Sequence, residues 1–241
     1  VRECNRPFGG VQVVVSGDLV QLPPVAGKFC FMSTVWEKAA FRVLMLKTLI
    51  RQDGDDVFKG ILGELRWGKC SMETLELLKS LKKTQFSGDV IPTKLYSKNV
   101  DVNKINEMEF KKLVDGGAAK IIYNTKYSLH PSSKIWADSM KMPGSLEICV
   151  GAQVMVTWNI VVNDNATLVN GTRGIVVRLE KQGPVIKLVD GKEVLIEPCK
   201  MVNDEDEKIY AQYIPLKLAY ALSIHKSQGS TLDAVEMDLG D

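Results

Sequence analysis

The chain has 241 residues, 45% hydrophobic, 25% charged and 7% aromatic, which is globular composition and excludes a collagenous, low-complexity or wholly disordered protein. No apolar run reaches the roughly 18 residues of a membrane span, and Val1 to Pro7 lack the layout of a secretory leader. Formal charge is only +2, but 14 basic residues face 8 acidic ones between Lys59 and Lys134, against 5 and 11 between Leu188 and Asp241. This unevenness fits either a solvated surface or a basic face for a nucleic-acid backbone. Five widely spaced cysteines without a C-x-x-C pair, and only His130 and His225 to join them, argue against zinc and disulfides and for a reducing intracellular compartment. The length suits one or two domains.

In chain order, Val11-Gln12-Val13-Val14-Val15 reads as a buried parallel-type strand that delivers Ser16-Gly17-Asp18 at its carboxyl end, the edge where ligands sit in open α/β sheets. A short helix is predicted over Val35 to Ala40 and an apolar strand over Phe41 to Leu49. Apolar residues at three- and four-residue intervals from Asp55 to Lys83 predict two helices broken near Gly68 to Ser71. Ile91 to Ser97 reads as a strand and Asp101 to Leu113 as a capped helix. The polar stretch Tyr127 to Gly144 reads as a linker. Five short strands follow, over Leu146–Val150, Gln153–Trp158, Gly174–Leu179, Val185–Val189 and Glu193–Ile196, with an Asp190-Gly191 hairpin signal. They predict a small β-barrel inserted in an α/β frame. Asn203 to Glu207 reads as a solvated loop, and the frame resumes with strands over Leu216 to Ile224 and Ala234 to Asp238.

Two stretches carry chemistry. In Gly17-Asp18-Leu19-Val20-Gln21-Leu22-Pro23-Pro24-Val25, a neutral amide at a strand end can meet a phosphate oxygen or a metal-bound water, and two prolines stiffen the outgoing segment. In Leu222 to Thr231, His225, Lys226, Ser227, Gln228, Ser230 and Thr231 form a dense row of donors, with Gly229 allowing close backbone approach. That row suits the phosphates of a single strand. Ser97-Lys98-Asn99, between a strand and a helix, offers a further phosphate contact. The one superficial phosphate-loop match, Gly63-Glu64-Leu65-Arg66-Trp67-Gly68-Lys69, has no preceding strand, continues a helical pattern and places Cys70 where Ser or Thr should stand.

Five stretches occur in a set order: Gly17 to Val25, Leu49-Ile50-Arg51-Gln52, Gly151-Ala152-Gln153-Val154-Met155, Asn170-Gly171-Thr172-Arg173-Gly174, and Ser223 to Gly229. From Arg6 to Gly240 the chain resembles the Pif (petite integration frequency) DNA helicases of superfamily one. The resemblance implies an ATP-driven motor moving 5′ to 3′ on single-stranded DNA and unwinding duplex, forked and G-quadruplex DNA in replication, repair, recombination and telomere maintenance in nucleus or mitochondrion. It implies an α/β, RecA-like fold: a remnant of the first motor domain over 1–40, the second over 41–142 and 215–241, and an inserted small β-barrel over 143–214.

By the same resemblance, Asp18, Gln21 and Arg51 are nucleotide-binding, with Gln21 and Arg51 catalytic at the γ-phosphate. His225, Lys226, Ser227, Gln228 and Gly229 contact DNA, with Ser97, Lys98 and Asn99 as the additional phosphate site. Asn170 to Gly174 is expected to shape the insertion. ATP and Mg²⁺ are the implied cofactors, held mainly by a phosphate loop and acidic pair outside this sequence, so the chain alone is expected to lack turnover. No metal ligand, no membrane partner and a monomer are expected. A non-catalytic module that binds single-stranded DNA, or a mobile-element helicase, is the alternative.

Overall fold

The computed structural model describes residues 4–24, 26–50, 52, 54–86, 88–97, 99–162 and 167–237, with the side chains of 99 and 100 excepted. Contacts divide the chain into two compact units, 1–85 and 86–241.

In the first unit, helix α1 (Thr34–Ala39) is capped by Ser33, whose hydroxyl accepts from the Val35 amide at 3.2 Å. Helix α2 (Asp56–Arg66) starts where the Asp55 carboxylate accepts the Phe58 amide at 2.9 Å. It stops at Gly68, whose φ of +65° suits glycine, with Gly68 and Lys69 amides returning to the Leu65 and Glu64 carbonyls. Helix α3 (Met72–Leu81) is capped by Ser71. The predicted helix pair and its break are therefore present. The strands predicted over Val11 to Val15 and Phe41 to Leu49 are not: neither run joins a ladder, and Val14 is 85% and Leu46 93% exposed. A β-branched run becomes a strand only beside another strand, and no described residue pairs with these.

The second unit holds strand β1 (Thr93–Tyr96), helix α4 (Asn99–Asp115), β2 (Lys120–Asn124), β3 (Lys126–Tyr127), α5 (Ser133–Ser139), β4 (Ser145–Cys149), β5 (Gln153–Val156), β6 (Ile160–Val161) and β7 (Thr167–Leu168). It continues with β8 (Arg173–Leu179), β9 (Pro184–Leu188), β10 (Glu193–Leu195), β11 (Cys199–Val202), β12 (Tyr210–Tyr213), β13 (Leu216–Leu218), β14 (Ala221–Ser223), α6 (Ile224–Ser227) and β15 (Val235–Met237). The frame is a parallel sheet in the order β14-β1-β15, the arrangement of a RecA-like α/β domain. Beside it in sequence stands an antiparallel sheet in the order β10-β9-β8-β5-β13, with the further ladders β11-β12-β3 and β2-β4. These ladders enclose a core that includes Ile148, Val154, Val156, Val176, Ile186, Ile196 and Leu216. The wall of the predicted barrel is thus assembled from several ladders, and no ladder joins β10 to β13 among the described residues.

Two readings of the sequence change. The stretch 127–144 is not a linker, since α5 lies within it and Ser133 and Ala137 are buried. The Ser128 hydroxyl donates to the Lys208 carbonyl at 2.6 Å. The strand predicted over Leu216 to Ile224 is two strands in different sheets, β13 antiparallel to β5 and β14 parallel to β1. Asn203 to Glu207 is a loop with Asp204, Glu205 and Glu207 exposed, as expected, and the Asn203 side chain closes it by accepting from the Glu205 and Asp206 amides at 2.8 and 3.0 Å.

Candidate functional site

In the first unit, Asp18 to Gln21 form a turn in which the Asp18 carboxylate accepts from the Val20 amide at 3.1 Å and from Gln21 Nε2 at 3.2 Å. Arg66, the last residue of α2, closes on the same carboxylate with Nη1 to Oδ2 at 2.6 Å and Nη2 to Oδ1 at 2.9 Å. The fork matches both oxygens, so Asp18 sets the Gln21 side chain on one side and is neutralised on the other. No sequence signal announced this partner, 48 positions away. Arg66, with help from the Val20 amide, holds the Asp18 carboxyl down at about 2.

Because that value lies below the ordinary 3.8, the pair's contribution to stability is complete above the ordinary value and is lost as pH falls through about 2. A carboxyl-carbon NMR titration of Asp18 is expected to place its midpoint near 2. A midpoint at the ordinary aspartate value would mean that Arg66 does not bind it.

Beside this turn is a cavity of about 380 Å³ lined by Asp18, Leu19, Leu22, Pro24, Lys28 and Phe29. With both Asp18 oxygens bonded to Arg66, Lys28 is the cation on the cavity wall. This fits contact with an anionic phosphate better than direct ligation of Mg²⁺. No group of three metal-ligating side chains stands together among the described residues. Gly63 to Arg66 lie inside α2 and Gly68 ends that helix, so the superficial phosphate-loop match is a helix and its cap. Arg51 lies outside the described residues.

In the second unit, β1 and β14 run parallel with Tyr96 opposite Ser223. Ser97 and the Ile224–Ser227 helix therefore leave adjacent strands at the same carboxyl edge, where such sheets bind ligands. Ser97, His225, Lys226, Gln228 and Gly229 are exposed and Ser227 is half-buried. The Ser227 hydroxyl donates to the Ile224 carbonyl at 2.9 Å, which fixes the short helix. Gly229 has a φ of +79°, and the chain turns there. Lys98 and the Asn99 side chain lie outside the described residues. A larger cavity of about 460 Å³, between Trp158 and Met201, contains none of the predicted site residues.

Two further family-like stretches converge beneath this sheet. Gln153 is buried, its Oε1 accepting the Ile91 amide at 2.9 Å and its Nε2 donating to the Ile91 and Ala219 carbonyls at 3.0 Å. Arg173, 1% exposed, donates to the Ile91 carbonyl at 2.9 Å and to the Thr93 hydroxyl at 3.3 Å, and pairs with Asp233 at 3.6 Å. Burial lowers the affinity of Arg173 for its proton and the Asp233 charge opposes that shift. The turn at Gly171 touches Ser230 and Thr231, and a Cβ at Gly171 would lie 2.8 Å from the Thr231 backbone. The Gly171 turn thus packs against the exit of the 225–229 segment. The sequence motifs were visible beforehand; this burial of their polar side chains was not.

A family model for PIF1-like helicase matches residues 1–76. The human ATP-dependent DNA helicase PIF1 is 34% identical over 253 residues, covering 100% of this chain and 38% of that protein. The crystal structure of Pif1 helicase from Candida albicans is similar with a TM-score of 0.68 and 31% identity, over 98% of this chain and 60% of that one. That of Pif1 helicase from Bacteroides in complex with ADP-AlF3 and ssDNA gives 0.57 and 28%, over 98% and 58%. The chain therefore spans well under two thirds of the relatives it matches. With the ordered motifs and the parallel frame, the chain is similar along its whole length to PIF1-like helicases.

Proposed function

We propose that this chain forms part of an ATP-dependent DNA helicase, contributing a nucleotide-sensing turn in its first unit and a single-stranded DNA interface in its second. The observation that carries the reading is the shared carboxyl edge, where Ser97 and the 225–229 segment end adjacent parallel strands. Asp18 holds Gln21 for the γ-phosphate, with Arg51 as a second contact. His225, Lys226, Ser227, Gln228 and Gly229 take the strand's phosphates, with Ser97, Lys98 and Asn99 beside them. Segments 1–40, 41–142 with 215–241, and 143–214 are the first motor remnant, the second motor domain and the insertion. ATP with Mg²⁺ supplies the driving hydrolysis, and most of its ligands are not among these residues. Movement is 5′ to 3′, on forked and G-quadruplex as well as single-stranded DNA, by a monomer acting in genome maintenance in nucleus or mitochondrion.

The test is oligonucleotide binding across salt together with ATP hydrolysis by the purified chain. The expected result is binding that weakens as salt rises, without turnover. Absence of oligonucleotide binding would sink the interface assignment, and DNA-stimulated turnover would show that this sequence holds a nucleotide site of another kind. Binding without any effect of Gln21→Ala or Arg66→Ala on nucleotide affinity, once a phosphate-loop segment is supplied, would favour a non-catalytic DNA-binding module.

A further inference from the structure

Lys217 lies on β13, the last strand of the antiparallel sheet and outside every stretch that the family resemblance singles out. It stands opposite Met155 in the β13–β5 ladder, and directly opposed residues share a face of the sheet. Met155 is fully buried on that face against Ala219 and Leu222, with Leu95 and Leu232 around them. The Lys217 stem therefore runs toward β1 and β14, the strands that end in Ser97 and α6. The side chain is half-buried, and no carboxylate lies within ion-pair distance of Lys217 or Lys226 among the described residues. Burial, and then the neighbouring Lys226 charge, push the Lys217 ammonium below the ordinary lysine value. Lys226 is near enough for its charge to act on Lys217, and an anion beside the two would relieve both charges.

We propose that Lys217 and Lys226 together hold one phosphate of the nucleic-acid strand, so that the interface extends from the parallel sheet onto the inserted antiparallel sheet. This rests on the reading of 225–229 as the DNA-contacting segment. A point charge on a flexible stem suits a phosphate that passes along the edge, and it carries no base preference. The strand would then touch the parallel sheet and the five-stranded antiparallel sheet of the second unit.

The experiment is fluorescence anisotropy of a labelled oligothymidylate with the whole chain, its Lys217→Met variant, which keeps the apolar stem, and its Lys226→Gln variant, over a series of salt concentrations. Each variant is expected to bind about fivefold more weakly at low salt and to reduce the slope of log affinity against log salt by about 0.7, one single-strand phosphate contact. The thermal midpoint of Lys217→Met should stay level or rise, because a half-buried unpaired charge has gone. If Lys226→Gln weakens binding while Lys217→Met leaves affinity and slope intact, the Lys217 contact is wrong and the reading of 225–229 stands. If both variants bind like the parent, that reading fails as well. Displacement of the oligonucleotide by inorganic phosphate beyond the effect of matched ionic strength would make this a free-anion site and overturn the assignment to a strand.

Discussion

Gly183→Ala is expected to cost residues 86–241 about 3–5 kcal/mol and to lower their thermal midpoint by roughly 10 °C. Gly183 sits in the connection between β8 and β9, with its amide and carbonyl both bonded to Glu180 at 3.2 and 3.1 Å. A Cβ there would collide with the Ile196 carbonyl oxygen and lie 3.3 Å from Ile214 Cδ1. Ile196 cannot yield easily, because it is fully buried and its amide donates to the Pro184 carbonyl at 2.9 Å. The collision is backbone against side-chain root, with no rotamer to relieve it. Gly191→Ala is the control: Gly191 has a φ of +86° but open space around it, so only backbone strain of about 1 kcal/mol is expected. Circular dichroism melts of the two variants compare them directly, and equal midpoints would mean that the Gly183–Ile196 approach does not exist.

The second effect belongs to Gln153→Leu. Its three side-chain hydrogen bonds do not count equally. Ile91 and Ala219 keep other donors to their carbonyls, Arg173 at 2.9 Å and the Thr93 hydroxyl at 2.9 Å. Only the Ile91 amide loses its partner, and because Ile91 is partly exposed the cost is about 1 kcal/mol. A fall of roughly 2–4 °C in the midpoint follows at about 2–4 °C per kcal/mol. Amide exchange is expected to accelerate first at Ile91 and along β1, which depends on that anchor. Uniform acceleration across the second unit, or none, would contradict the role given to this amide.

Local signals made part of this legible in the sequence. The pair α2 and α3, the glycine stop between them and the strands β1, β4, β5, β8, β9 and β10 all follow from spacing, caps and turn residues that act within a few positions. What failed depends on distant partners. Val11 to Val15 and Phe41 to Leu49 have strand composition but no neighbouring strand among the described residues. The serines of 127–144 have linker composition, yet Ser128 and Ser133 are held in the fold. At the site, the row His225 to Gly229 was readable because its donors are consecutive. The Asp18–Arg66 fork was not, nor was the convergence of Gln153 and Arg173 on Ile91, since each joins residues that only the tertiary fold brings together.

The junction between β13 and β14 also limits how this protein can be re-engineered. Ala219 and Tyr220 are its only residues, and both are fastened: the Ala219 amide donates to the Gln153 carbonyl at 3.0 Å, and the Tyr220 amide to Asn106 Oδ1 at 3.0 Å. The Tyr220 hydroxyl accepts the Gln153 amide at 3.0 Å. A chimera that exchanges the antiparallel sheet between relatives cannot be spliced at this seam without importing Gln153 and Asn106 as a matched set. The exchangeable cassette is accordingly larger than the sheet itself and must carry the facing part of α4 with it.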